Sequence, residues 1–127
     1  MAAGKTILVV EDDQDLRRML RTSLLLEGYD VQEAGDGFEA LARVDREPPD
    51  LIILDLLLPS VNGVTVRQEI AAQAATRHIP VVVITGSALD TDGLDVNCVL
   101  RKPISVPALL TVVRRCLDGG APGALSD

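Results

Sequence analysis

The chain has 127 residues and carries 12 Lys and Arg against 19 Asp and Glu, which gives a formal net charge of −7 at pH 7. A single domain of this length can bury a sizeable core. Because the charge is negative and aromatic residues make up only 2 % of the chain, we do not expect this segment to bind nucleic acid.

The two cysteines and the N-terminus indicate the compartment. Cys98 and Cys116 have no metal-ligand spacing, and we predict that they are unpaired core residues in a reducing compartment. The first residues, MAAGKTILVVEDD, do not have the pattern of a signal peptide, and no apolar stretch is long enough to span a bilayer. The expected location is therefore cytoplasmic, without a membrane partner.

Short apolar runs alternate with helical patterns along the chain. Strands are predicted at residues 7–10, 29–34, 51–54, 81–84 and 98–100. Helical patterns follow them at residues 16–28, 38–44 and 64–75, and a last helix begins after the cap residue Ser105. In the second helix, Phe38, Leu41 and Val44 form the predicted core stripe. The alternation predicts an α/β domain with a parallel sheet and right-handed crossovers.

Two segments depart from this regular pattern. Only residues 86–97 separate the fourth and fifth predicted strands, so we expect the helix between them to be shortened or mobile. Residues 119–127 are rich in Gly, Ala and Pro and are expected to form a disordered tail or a linker stub. The folded domain would then comprise residues 1–118.

Polar side chains follow the apolar runs. Acidic residues follow the first and third strands, and Thr85 and Lys102 follow the fourth and fifth. In an open parallel sheet these strand ends form one edge, where ligands bind. Each residue alone has a common structural explanation, and Asp13 is expected to cap the first helix rather than to bind a metal. Their joint position at one edge favours a functional site.

The charges at this edge suggest a chemistry. Glu11, Asp12 and Asp55 together would carry about −3, which a divalent cation and Lys102 would balance. All the available ligands are oxygens, so Mg²⁺ is the natural cation. Asp55 is expected to meet water at the end of its strand and to have a cationic partner. It would act as the nucleophile toward a phosphoryl group, whose oxygens Lys102 and Thr85 would bind.

The motifs ILVVEDD, DLIILDLLLPSVNG, VVVITGS and RKP resemble the receiver domains of two-component response regulators, over residues 5 to about 117. The resemblance implies a flavodoxin-like fold with strand order 2-1-3-4-5 and helices on both faces. It also implies that Glu11 and Asp12 are the acidic pair for Mg²⁺ and that Leu57 offers its backbone carbonyl to the metal. Asp55 would be the phosphoacceptor, Thr85 the switch hydroxyl and Lys102 the family's lysine.

The same resemblance implies the remaining features of the loops and the partners. The Lys102–Pro103 bond could be cis, and Asn62-Gly63 would form an easy turn after Pro59. The phosphoryl donor would be a histidine kinase or a phosphotransfer protein, and the downstream target an unknown protein. The domain would be a monomer or a weak dimer. It would not be an enzyme but a phosphoacceptor signalling domain that assists its own phosphorylation and dephosphorylation.

One departure from the family and three alternatives remain. The family usually has Tyr or Phe where this chain has Val99, so we expect phosphorylation to be retained but its output to differ. A phosphatase of the haloacid dehalogenase type would need a second Asp where Leu57 stands. A flavodoxin would need a phosphate-binding loop where EDDQD stands. A pseudo-receiver, an interaction module that is never phosphorylated, stays open as the alternative.

Overall fold

The structure is a computed structural model that describes residues 4–58, 62–86 and 98–118. Strands and helices alternate in these ranges, as the sequence predicts. The elements are β1 Thr6–Val10, α1 Gln14–Leu26, β2 Asp30–Ala34, α2 Gly37–Arg46, β3 Leu51–Asp55, α3 Gly63–Ala72, β4 Val81–Thr85, β5 Val99–Arg101 and α4 Val106–Leu117. Apart from Gly86, the segment 86–97 with its predicted helix lies outside the described residues, as do Pro59 and the tail at residues 119–127.

The strands form one parallel sheet in the order β2-β1-β3-β4-β5. This confirms the predicted α/β class and the predicted strand order. Val10 pairs with Leu54, and on the other side of β3 the pairing runs on to Asp55. Because the strands are parallel and in this register, the residues that follow them lie along one edge of the sheet.

In the described part of the chain, two helices cover each face of the sheet. Successive strand residues point to opposite faces, so a run without polar alternation supplies both cores. One core packs α1 and α4 on the sheet and includes Ile7, Val9, Leu20, Leu24, Leu51, Ile53, Leu109 and Val113. The other packs α2 and α3 and includes Leu8, Val10, Ala40, Val44, Ile52, Leu54, Val66 and Ile70.

The prediction that Phe38 belongs to the core stripe of α2 is wrong. Its side chain is 68 % exposed, whereas Ala40 and Val44 are buried. The helix turns residues 37, 40 and 44 toward the sheet, at helical spacings of three and four. Phe38 lies one position away from that stripe, about 100° around the helix. The core is therefore more strictly aliphatic than predicted.

The prediction of unpaired cysteines is also wrong, because Cys98 and Cys116 form a disulfide in this structure. Helix α4 runs back along β5, so its last turn reaches the residue that precedes the strand. The Cα atoms of the two cysteines are 6.7 Å apart, which is within the range that a disulfide spans. Their separation of 18 residues in sequence gave no local sign of this proximity.

In the described part of the chain, no helix has the length and apolar character needed to cross a membrane.

Candidate functional site

Glu11 follows β1 directly and is completely buried. Its amide donates to the carbonyl of Ala34 at 3.0 Å, and its carboxylate Oε2 accepts from the amide of Asp13 at 3.0 Å. Its own carbonyl accepts from Nη1 of Arg17 at 2.7 Å. Its other carboxylate oxygen, Oε1, is buried, accepts no hydrogen bond from the described residues and lies 3.7 Å from Nζ of Lys102. Oε1 is therefore the atom of Glu11 that remains for a ligand.

The three consecutive acids after β1 have different surroundings. Asp13 is the N-cap of α1, and its carboxylate accepts from the amides of Asp15 and Leu16. This confirms the predicted capping role. Asp12 is exposed and stands beside Glu11 in a group of carboxylates described below.

Asp55 is the last residue of β3, and its side chain is only 4 % exposed. Its Oδ2 accepts from Nζ of Lys102 at 2.9 Å, so the predicted cationic partner is present. Its Oδ1 accepts from the amide of Leu57 at 2.9 Å. The prediction that Asp55 meets water at its strand end is wrong, because β4 pairs with β3 as far as Asp55 and β1 pairs with it as far as Leu54. The side chain of Leu57 is 64 % exposed.

Lys102 and Thr85 are joined through the backbone. The amide of Lys102 donates to the carbonyl of Thr85 at 3.0 Å, which ties the end of β5 to the end of β4. The Lys102–Pro103 bond is cis, as the resemblance allowed. Thr85 is completely buried, and its hydroxyl donates to the carbonyl of Gly86 at 2.9 Å. The predicted bond from this hydroxyl to a phosphoryl oxygen therefore stays a prediction.

Burial changes the charges at this edge. Desolvation and the nearby Asp55 carboxylate together raise the pKa of Glu11 to about 7, against the hydrogen bond from the Asp13 amide and the positive charge of Lys102. Burial alone would lower the pKa of Lys102, but its hydrogen bond to Asp55 and the charges of Glu11, Asp55 and Asp12 outweigh burial and raise it. Near neutral pH the cluster therefore carries less negative charge than the predicted three carboxylates, because Glu11 retains part of a proton.

The carboxylates are close enough to share a cation. Glu11, Asp12 and Asp55 each offer an oxygen, and these atoms all lie within 4.8 Å of one another. The unpartnered Oε1 of Glu11 is the kind of buried polar atom that a ligand would satisfy. An all-oxygen set in a negative cluster suits a hard cation such as Mg²⁺. The residues present therefore fit the predicted metal, and ligation by the Leu57 carbonyl stays a prediction.

Gly63 lies directly against the backbone at the end of β3, next to Asp55. Asn62 and Gly63 do not form the predicted turn: Asn62 caps α3 by accepting from the amide of Thr65, and Gly63 is the first helical residue. The amide of Gly63 donates to the carbonyl of Leu56 at 3.0 Å. A Cβ at Gly63 would lie 2.3 Å from the carbonyl oxygen of Asp55 and 2.5 Å from Cα of Leu56. Sequence reasoning found the glycine but not this close approach.

Most of this chain is similar in sequence to a known protein family. The family model described as the response regulator receiver domain matches residues 7–114. The chain is 38 % identical over 116 residues to the DNA-binding dual master transcriptional regulator RpaA of Synechocystis, covering 87 % of this chain and 48 % of RpaA. It is 46 % identical over 115 residues to the response regulator PleD of Caulobacter vibrioides, covering 85 % of this chain and 25 % of PleD. The chain thus spans half or less of these two relatives.

Solved structures agree with this match. A putative response regulator from Chloroflexus aurantiacus superposes with a TM-score of 0.82 at 30 % identity, covering 89 % of this chain and 97 % of that one. The chemotaxis response regulator CheY4 of Vibrio cholerae gives a TM-score of 0.79 at 26 % identity, covering 87 % and 97 %. In both cases nearly the whole of the compared chain is matched.

Proposed function

Because this chain belongs to the family of response regulator receiver domains, we propose that its Asp55 accepts a phosphoryl group in a Mg²⁺-dependent reaction. The donor is a histidine kinase or a phosphotransfer protein. The role is that of a phosphorylation switch in two-component signalling rather than that of a classical enzyme. The observation that supports this proposal best is the Asp55 carboxylate, bonded to Lys102 at 2.9 Å beside the unpartnered oxygen of Glu11.

The residues around Asp55 have separate tasks in the transfer. An oxygen of Asp55 attacks the phosphorus and forms a new P–O bond. The P–N bond to the donor imidazole breaks, and its electron pair stays on the nitrogen. Lys102 donates to a phosphoryl oxygen and offsets its charge, and Thr85 moves its hydroxyl from the Gly86 carbonyl to another phosphoryl oxygen.

The metal ligands in this proposal are Glu11, Asp12, Asp55 and the carbonyl of Leu57. A bound Mg²⁺ supplies neutralisation of the charge on the transferring group. The Asp13 amide keeps Oε2 of Glu11 in place, which leaves Oε1 as the oxygen that would hold the cation. The amide of Leu57 holds Oδ1 of Asp55, which keeps the reacting carboxylate oriented.

The downstream partner is proposed to be a protein. Some relatives are named as transcriptional regulators, but this chain spans only part of their length, and its charge of −7 opposes contact with a phosphate backbone. We propose a cytoplasmic domain that is a monomer or a weak dimer. Val99 begins β5 at the position where the family usually has an aromatic residue, and we propose that the output of phosphorylation differs accordingly.

The first test is the intact mass after incubation with Mg²⁺ and acetyl phosphate. We expect one phosphoryl adduct on the wild type, lost when EDTA replaces Mg²⁺ and cleaved by hydroxylamine, because an acyl phosphate reacts with that nucleophile. Asp55→Asn keeps the shape of the side chain but should form no adduct. Asp45→Asn, an exposed change on α2, should behave like the wild type.

Two outcomes would contradict the proposal. An adduct of equal yield on Asp55→Asn would move the phosphoacceptor to another residue. A wild type that forms no adduct and binds no beryllofluoride would favour the pseudo-receiver, in which the acids at the sheet edge serve only the fold.

A further inference from the structure

Arg17, near the start of α1, connects the acidic cluster to the neighbouring strand β2. Its side chain is 19 % exposed. Nη1 donates to the carbonyl of Glu11 at 2.7 Å, and Nε donates to Oε1 of Glu33 at 3.2 Å. The second oxygen of Glu33 is 3.2 Å from Nε of Arg21. The guanidinium of Arg17 is thus fixed between an anionic side chain of β2 and the backbone at the end of β1.

The Glu11 carbonyl that accepts from Arg17 lies between the two acids that follow β1. It belongs to the peptide that joins Glu11 to Asp12, the two acids that follow β1. Since a peptide unit is planar, holding this carbonyl fixes the plane from which both side chains leave the backbone. The Glu11 amide is held by Ala34, and Oε2 is held by Asp13. Within the described residues, the amide, the carbonyl and Oε2 of Glu11 therefore each have a hydrogen-bond partner, whereas Oε1 has none.

We propose that Arg17 is a positioning residue that presets the Glu11–Asp12 peptide for cation binding. This inference rests on the proposed function, because it assumes that the carboxylate cluster binds Mg²⁺. Arg17 does not touch the cation in this proposal. Its guanidinium reduces the reorganisation that Glu11 and Asp12 undergo when they become ligands, as partners behind metal ligands commonly do.

Arg21 provides a matched control in the same helix. It pairs with the same carboxylate at the same distance of 3.2 Å, and its side chain is 47 % exposed. Arg21→Met removes an ion pair with Glu33, as Arg17→Met does. Only Arg17→Met also removes the bond to the Glu11 carbonyl. A difference between the two variants therefore reports on that bond rather than on the loss of a surface ion pair.

The experiment is a Mg²⁺ titration followed by the amide NMR signals of Asp13 and Leu57, which donate to Glu11 and Asp55. Mg²⁺ alone is the probe, and no phosphoryl donor is present. We expect Arg17→Met to weaken binding by about 10-fold and Arg21→Met by less than about 2-fold. The Asp13 amide should also shift in Arg17→Met before any Mg²⁺ is added.

A second variant covers the case in which Arg17→Met does not fold. Arg17→Lys keeps the charge, but its ammonium lacks the planar fork that reaches two acceptors at once. It should therefore bind Mg²⁺ with an affinity between those of the wild type and Arg17→Met. Folded variants at position 17 that bind Mg²⁺ as tightly as Arg21→Met would overturn the inference while leaving the proposed function intact. A wild type that binds no Mg²⁺ would overturn both.

Discussion

Gly63→Ala is expected to lower the free energy of unfolding by about 3 kcal/mol or more. It is also expected to prevent the formation of the phosphoryl adduct on Asp55. The new methyl group would lie 2.3 Å from the carbonyl oxygen of Asp55. Because both nearest atoms belong to backbone, no side-chain rotation relieves the clash. Either α3 or the end of β3 must move, and the end of β3 carries the carboxylate of Asp55, the proposed phosphoacceptor. Urea unfolding measures the first effect, and the intact mass after acetyl phosphate measures the second.

Gly86→Ala is the matched control for this substitution. A Cβ at Gly86 would meet no atom of the described residues within 4 Å, and its φ lies outside the left-handed range. The stability should therefore be unchanged or higher by up to about 1 kcal/mol. If Gly63→Ala unfolded at the same urea concentration as Gly86→Ala, the close approach of α3 to β3 would not be a real constraint on this fold.

The contribution of Glu11 to the stability of the metal-free protein is expected to fall with rising pH. The pKa of Glu11 is raised from 4.5 to about 7 in the folded state, so between these values the folded protein holds a proton that the unfolded chain has lost. The stabilising effect is complete below about pH 4.5 and disappears as pH rises through about 7, a change on the order of 3 kcal/mol. Urea unfolding from pH 5 to 8 in EDTA measures it.

Glu11→Gln isolates this contribution. The amide resembles the protonated carboxyl and does not ionise, so the stability of Glu11→Gln relative to the wild type should rise by about 2 to 3 kcal/mol from pH 5 to pH 8. Added Mg²⁺ should stabilise the wild type at pH 8 more than it stabilises Glu11→Gln, because the variant lacks the anionic ligand. Glu69→Gln, an exposed change on α3, should follow the wild-type curve. If the stabilities of the wild type and of Glu11→Gln changed in parallel with pH, this would contradict the raised pKa of Glu11.

The sequence by itself was sufficient for the architecture and for the prediction that the acids after β1 and β3 lie close to Lys102 at one sheet edge. Apolar runs without alternation can only be buried strands of a parallel sheet or buried helices, and their length with the intervening helical patterns decides for strands. Parallel strands share one edge for their carboxyl ends, so Asp55 and Lys102 could be assigned to one site although 47 residues separate them. The capping role of Asp13 was equally readable, because it depends on neighbouring residues.

The tertiary structure alone decided burial, charge state and contact between distant elements. The flanking strands bury Asp55, and desolvation raises the pKa of Glu11, which no local pattern encodes. The orientation of α2 exposes Phe38, and the return of α4 along β5 brings Cys98 to Cys116. The bond of Arg17 to Glu11 and the approach of Gly63 to Asp55 likewise depend on how helices pack on strands. Periodicity and motifs indicate which residues share a face of a helix or an edge of the sheet. The distances between residues of different helices and strands follow from the packing of the whole chain.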